Sequence, residues 1–109
     1  MATEVIFTEN KKQLTARLPA ELDHHTVGRI REAVDSRFFN SRPDVLVLDF
    51  GSVGFMDSSG IALIIGRVEV ARALGASVRL VGLSHGLMKL CRLAGLERIK
   101  NLTIASSED

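Results

Sequence analysis

Tryptophan and tyrosine are missing from this sequence, cysteine occurs once, and neither sign of charge dominates. Each shortage removes a class of function. With five phenylalanines as the whole aromatic complement, the core has to be aliphatic, and no aromatic platform exists on which unpaired bases could stack. Fourteen Lys and Arg against 13 Asp and Glu leave a formal charge of +1, and Lys11-Lys12 is the only basic doublet. The basic stripe that phosphate-backbone binding requires is absent, so direct nucleic-acid binding is not expected. A lone Cys91 excludes an internal disulfide and suits a reducing cytoplasm. The longest apolar run, Ile61 to Ile65, is far too short to cross a bilayer, and Met1-Ala2-Thr3-Glu4 lacks the basic-then-apolar pattern of a secretory signal. The expectation is a cytoplasmic protein without a membrane segment.

What is present is enough for one domain over residues 1–109. A chain of 109 residues with 46 % apolar content buries a real core without disulfides or metals. Val5 to Thr8 and Gln13 to Leu18 read as strands joined by the polar turn Glu9 to Lys12. Asp23 is a candidate N-cap for a helix that carries Val27, Ile30, Val34 and Phe38 at helical spacing. Asn40 to Pro43 breaks that pattern. Val45-Leu46-Val47-Leu48 is a continuous run of the kind buried on both faces of a sheet, and Asp49 to Asp57 reads as a loop.

A second helix has Ile61, Ile64, Ile65, Val68 and Ala71 on one face. Gly75 is placed to end it in a left-handed turn, with Arg72 complementing the last turn. Val78 to Val81 is a further strand. Ser84 caps a third helix bearing Leu87, Leu90, Cys91 and Ala94, which Gly95 and Leu96 close as a Schellman motif. Ile99 to Ile104 is the last strand. The order β-β-α-β-α-β-α-β predicts an α/β domain with a mixed, largely parallel sheet and helices packed on it.

Two turns hold the candidate functional residues. Glu21-Leu22-Asp23-His24-His25-Thr26 leads into the first helix, and Phe55-Met56-Asp57-Ser58-Ser59-Gly60 leads into the second. If the first helix is a crossover between parallel strands, both turns lie at one end of the sheet, where sites in open α/β sheets gather. Ser58 is expected as the N-cap, its hydroxyl accepting from the Ile61 amide. Gly60 leaves the backbone bare for a partner to approach, and Asp57 is placed to hold or polarise the hydroxyl. The free amides and the helix dipole tolerate negative charge at this point, including a phosphate. On residue chemistry alone, Asp, Ser and Gly are equally what any helix start uses.

Catalytic and metal chemistry find little support. A serine hydrolase would need the G-x-S-x-G elbow, which is missing, and His24 and His25 precede the serine. A metal site built on His24, His25 and His85 lacks a completing Cys or acidic pair, and adjacent helical histidines diverge by roughly 100°. Cys91, on the apolar face of its helix, reads as a small buried hydrophobe. Neither catalysis nor a cofactor or metal is expected.

The pieces Leu22-Asp23-His24-His25-Thr26, Phe55-Met56-Asp57-Ser58-Ser59-Gly60, Gly66-Arg67 and Leu93-Ala94-Gly95-Leu96 resemble, in order and spacing over nearly the whole chain, the STAS-domain anti-sigma factor antagonists. The resemblance is strongest to the sporulation type, which opposes the anti-sigma-F factor. It implies that the unphosphorylated protein binds an anti-sigma factor that is also a serine kinase and thereby frees a sigma factor. Phosphorylation of the first serine of Asp-Ser-Ser-Gly, here Ser58, would switch binding off, and a serine phosphatase would reset the cycle. Asp57 would support the phosphosite and Ser59 would be structural. Glu21, Asp23, His24, Asp57, Ser58, Ser59 and Gly60 would form the partner surface. The competing expectation is a STAS-type scaffold or ligand-binding module of a stress-signalling or transporter assembly. Two departures stand out. Pro19-Ala20 replaces the Thr-Gly common before the first turn, which predicts a different backbone path there. The helix that usually follows the last strand is absent, and Ser106-Ser107-Glu108-Asp109 reads as the first turn of a truncated one.

Overall fold

The computed structural model describes residues 4–105; the Ser106 to Asp109 segment, with its expected helix start, lies outside them. Strands β1 (Ile6–Asn10) and β2 (Gln13–Arg17) form an antiparallel hairpin in which Asn10 faces Gln13. The turn is therefore Lys11-Lys12 alone, with Lys11 at φ 56°. After a short strand β3 (Glu21–Leu22) come helix α1 (Val27–Ser41), β4 (Val45–Asp49), a second short strand β5 (Phe55–Met56), α2 (Ser58–Ala73), β6 (Ser77–Val81), α3 (His85–Leu93) and β7 (Leu102–Ile104).

The main sheet has the order β1-β2-β4-β6-β7, parallel except for β1. Each parallel connection steps one strand in the same direction. Right-handed crossovers then place all three helices on one face. The alternation agrees: Leu14, Ala16, Leu46, Leu48, Val78 and Leu80 belong to the core beneath the helices, whereas Gln13, Arg17 and Arg79 are exposed. Val47 is buried yet lies outside that core cluster. It points to the helix-free face, flanked laterally by Thr15 and Arg79. The β4 run is thus buried on both faces, by helices on one and by neighbouring strands on the other.

The expected stops act where the sequence puts them. Gly75 and Gly95 have φ of 77° and 78°, and the Ser84 hydroxyl accepts from the Leu87 amide at 3.3 Å. Leu96 is fully buried. The last strand is shorter than expected. Leu96–Arg98 forms a 3₁₀ turn and Asn101 adopts φ 64°, so pairing begins only at Leu102. In α1, Arg42 takes φ 50° as its amide donates to the Phe38 carbonyl at 2.8 Å, just ahead of Pro43.

Aliphatic side chains dominate the core around Phe38 and Phe50, the largest fully buried residues. Cys91 is among them, and burial pushes its thiol up to about 11. It packs as an apolar group and supplies no thiolate at neutral pH. Among the described residues one charged side chain enters this interior. Arg67 of α2 is 6 % exposed, with Nε 2.7 Å from Oδ1 of Asp35 on α1. The contact is an ion pair without hydrogen-bond alignment, and Nη1 reaches the Leu63 carbonyl at 3.5 Å. Burial lowers the guanidinium from its ordinary value, opposed by the Asp35 charge. Among the described residues no helix is long and apolar enough to cross a membrane.

Candidate functional site

The two turns singled out in the sequence are joined backbone to backbone. The short strands β3 and β5 pair in parallel, Glu21 with Phe55 and Leu22 with Met56. The Gly54 and Phe55 amides donate to the Ala20 carbonyl at 2.8 and 3.2 Å, and the Asp57 amide donates to the Leu22 carbonyl at 3.2 Å. Leu22 and Met56 turn inward and are buried, while Glu21 and Phe55 point out to solvent. This corrects the reading of Asp49 to Asp57 as a plain loop. Ala20 makes its turn without the left-handed conformation for which glycine is chosen.

The Asp23 segment is a turn and not the first turn of α1, a second correction. The helix starts at Val27, with Thr26 as the flanking residue. Asp23 Oδ1 accepts from the His25 and Thr26 amides at 2.9 and 3.1 Å. The Thr26 hydroxyl donates back to the Glu21 carbonyl at 3.0 Å, tying the turn to β3. Desolvation works to raise the Asp23 carboxyl, but the two amide hydrogen bonds and the nearby histidines prevail and hold it below its ordinary value. The carboxylate therefore stays charged at neutral pH. His24 and His25 are exposed, with ring centroids 3.9 Å apart. In this non-helical turn the rings sit close together, tilted by 38°, and do not diverge as helix spacing implied. His85 opens α3 on a separate element and is also exposed.

At the second turn the cap is Asp57, not Ser58. Asp57 has extended backbone and its Oδ1 accepts from the Ser59 amide at 2.8 Å. A carboxylate one residue ahead of Ser58 takes the capping bond, which a charged acceptor makes stronger than a hydroxyl would. Ser58 becomes the first helical residue and is exposed, its hydroxyl relieved of capping duty. Asp57 is spent on the helix end and does not hold that hydroxyl.

Gly60 also has a role other than the expected one. It is buried, and a Cβ there would fall within the Met56 side chain and 3.3 Å from the Leu22 Cβ. Its smallness lets α2 sit on the β3–β5 pair; it does not open a path for a partner. Gly60→Val is expected to cost about 1–3 kcal/mol, the usual penalty of overpacking. Gly66→Ala, whose added Cβ meets nothing within 4 Å, should be neutral or stabilising by up to about 1 kcal/mol. Urea unfolding of the two variants checks this, and equal stability of Gly60→Val and wild type would restore the clearance role.

Glu21, Asp23, Asp57 and Ser58 thus share one end of the molecule, with Ser59 half-buried beside them. From Ser59 a groove of about 400 Å³ runs between α1 and α2, lined by Val27, Ala62, Leu63 and Gly66 and ending at Arg31 and Arg67. Phe55 was not singled out from the sequence as a site residue. Its exposure depends on β5, and two residues carry no periodicity from which a strand can be read.

Residues 4–109 match the STAS domain family. The anti-sigma F factor antagonist of Lysinibacillus sphaericus is 30 % identical over 86 residues, covering 79 % of this chain and 74 % of that protein. The solved structure of the anti-sigma factor antagonist SpoIIAA in its unphosphorylated form is 27 % identical and superposes with a TM-score of 0.77. It covers 96 % of this chain and 90 % of that one. SpoIIAA, the Bacillus cell fate determinant, in its phosphorylated form is also 27 % identical, with a TM-score of 0.71 over 96 % of this chain and 94 % of that one.

Proposed function

The chain belongs to the STAS domain family, and from that premise we propose that it is an anti-sigma factor antagonist of the sporulation type, switched by phosphorylation at Ser58. In this reading it is a binding protein and not an enzyme. Unphosphorylated, it binds a cytoplasmic anti-sigma factor that is also an ATP-dependent serine kinase, and so frees a sigma factor. Phosphorylation ends the binding, and a serine phosphatase restores it.

The observation that carries the reading is the position of Ser58. It is exposed at the first residue of α2, while Asp57 supplies the cap. The hydroxyl is therefore available to a kinase without loss of the helix start. Its neighbour across the β3–β5 pair is the Asp23 turn, so a partner that covers Ser58 meets a second, acidic element. Further support comes from relatives: a protein similar over most of its length is an anti-sigma F factor antagonist, and SpoIIAA is known in phosphorylated and unphosphorylated forms.

The test is site-resolved mass spectrometry after incubation with the anti-sigma factor kinase and ATP. Phosphate is expected on Ser58 and lost in Ser58→Ala. Modification confined to the half-buried Ser59, or none, overturns the assignment.

A further inference from the structure

We propose that Phe55 is the apolar anchor of the partner surface, and that the partner receives it in an apolar pocket bordered by basic side chains. This rests on the function proposed above and adds to it the chemistry of the partner's contact face. Phe55 is 52 % exposed, although a phenylalanine is among the residues most often buried. Its exposure is built into the backbone. The Phe55 amide is held by the Ala20 carbonyl and the Asp57 amide by the Leu22 carbonyl, and the strand alternation that turns Met56 inward turns Phe55 outward.

The other large exposed apolar residues stand elsewhere. Phe39 has the Arg42 guanidinium 6.0 Å from its ring, Ile6 is on the edge strand β1, and Leu93 is the last residue of α3. Phe55 alone among these is set between the two functional turns, with Glu21 beside it in register and Ser58 three positions on. An aromatic side chain with few rotatable bonds, carried on a hydrogen-bonded backbone, loses little entropy on docking and buries a large area, the profile of a residue that dominates an interface. Glu21 is its register neighbour, and Asp23 and Asp57 each follow two positions beyond that pair in the two turns. An apolar centre inside an acidic rim is complementary to a hydrophobic pocket edged by Lys or Arg.

The experiment measures binding kinetics of the anti-sigma factor kinase with wild type, Phe55→Ser, Leu93→Ser and Ser58→Asp, with melting curves for each. Phe55→Ser should dissociate roughly 30-fold faster or more, at a nearly unchanged association rate, and melt like wild type. Leu93→Ser, which removes an even more exposed apolar side chain (77 %) from another element, should bind as wild type does. Binding of Phe55→Ser within twofold of wild type while Ser58→Asp fails to bind overturns the anchor and leaves the switch intact. Equal losses in Phe55→Ser and Leu93→Ser also overturn it, because binding would then follow general surface apolarity. A wild-type protein that binds no such partner overturns the function and the anchor together.

Discussion

Phosphorylation at Ser58 is expected to leave the melting temperature within a few degrees of the unmodified protein while weakening partner binding by roughly a hundred- to several-thousand-fold. The two halves of this result have separate causes. The phosphate adds a charge of about −1.5 to −2, and Ser58 is the first residue of α2, where unpaired amides and the helix dipole favour negative charge by about 0.3–1 kcal/mol. Solvent screens it from Asp23 and Asp57. The fold therefore accommodates the group. In a complex whose partner covers Ser58, the same phosphate would lie without water and without an added cation. A buried charge deprived of its partner costs on the order of 3–5 kcal/mol, which is the stated loss of affinity. Differential scanning calorimetry and surface-binding kinetics on both forms decide the matter. A large drop in melting temperature would mean that the switch works by rearrangement of the fold, and an unchanged dissociation constant would remove Ser58 from the interface.

Arg67→Ala is expected to cost about 3 kcal/mol of stability, roughly 12–20 °C in melting temperature for a domain of this size. The substitution removes packing and leaves the Asp35 carboxylate without its guanidinium. Asp35 keeps 24 % of its side-chain surface in solvent, so water relieves part of the penalty and the value falls at the low end for a broken buried pair. Replacing both partners by apolar residues, Asp35→Leu with Arg67→Met, should recover most of the loss, since no charge is then stranded. Arg67→Lys should lie between, because a lysine cannot reproduce the guanidinium geometry toward both Asp35 and the Leu63 carbonyl. Thermal melts of the four proteins test this. If Arg67→Ala melts within a few degrees of wild type, the ion pair contributes nothing to holding α1 against α2.

The major elements were legible in the sequence because each carries a period or a stop signal. Val27, Ile30, Val34 and Phe38 mark α1, the Val45 to Leu48 run marks β4, and Gly75 and Gly95 stand where the backbone turns left-handed. The candidate site was legible as two motifs at one end of the sheet, but the strand pair that joins them was not. What unites them is the β3–β5 pair, and a strand of two residues is too short to show alternation. Both helix starts were read a few residues early or one late for a related reason. Asp23, Thr26, Asp57 and Ser58 are all competent caps by residue type, and only the backbone path decides that Asp57 caps α2 while Asp23 closes a turn of its own. The ion pair between Asp35 and Arg67 could not be read at all, because nothing local links residues on different helices.

The pairing of β3 with β5 also has a consequence in time. These strands have all of α1 and β4 between them in the chain, so their hydrogen bonds close only after the crossover has been laid down and packed. Pairings of such sequence separation tend to form late in folding, once loop entropy has been offset by other contacts. A chain still emerging from synthesis, or one whose first crossover has opened, carries the Asp-Ser-Ser-Gly sequence without the Asp23 turn beside it. A partner that gripped both turns and the ring of Phe55 between them would distinguish finished molecules from unfinished ones, and only completed copies would then enter the count that sets how much partner is engaged.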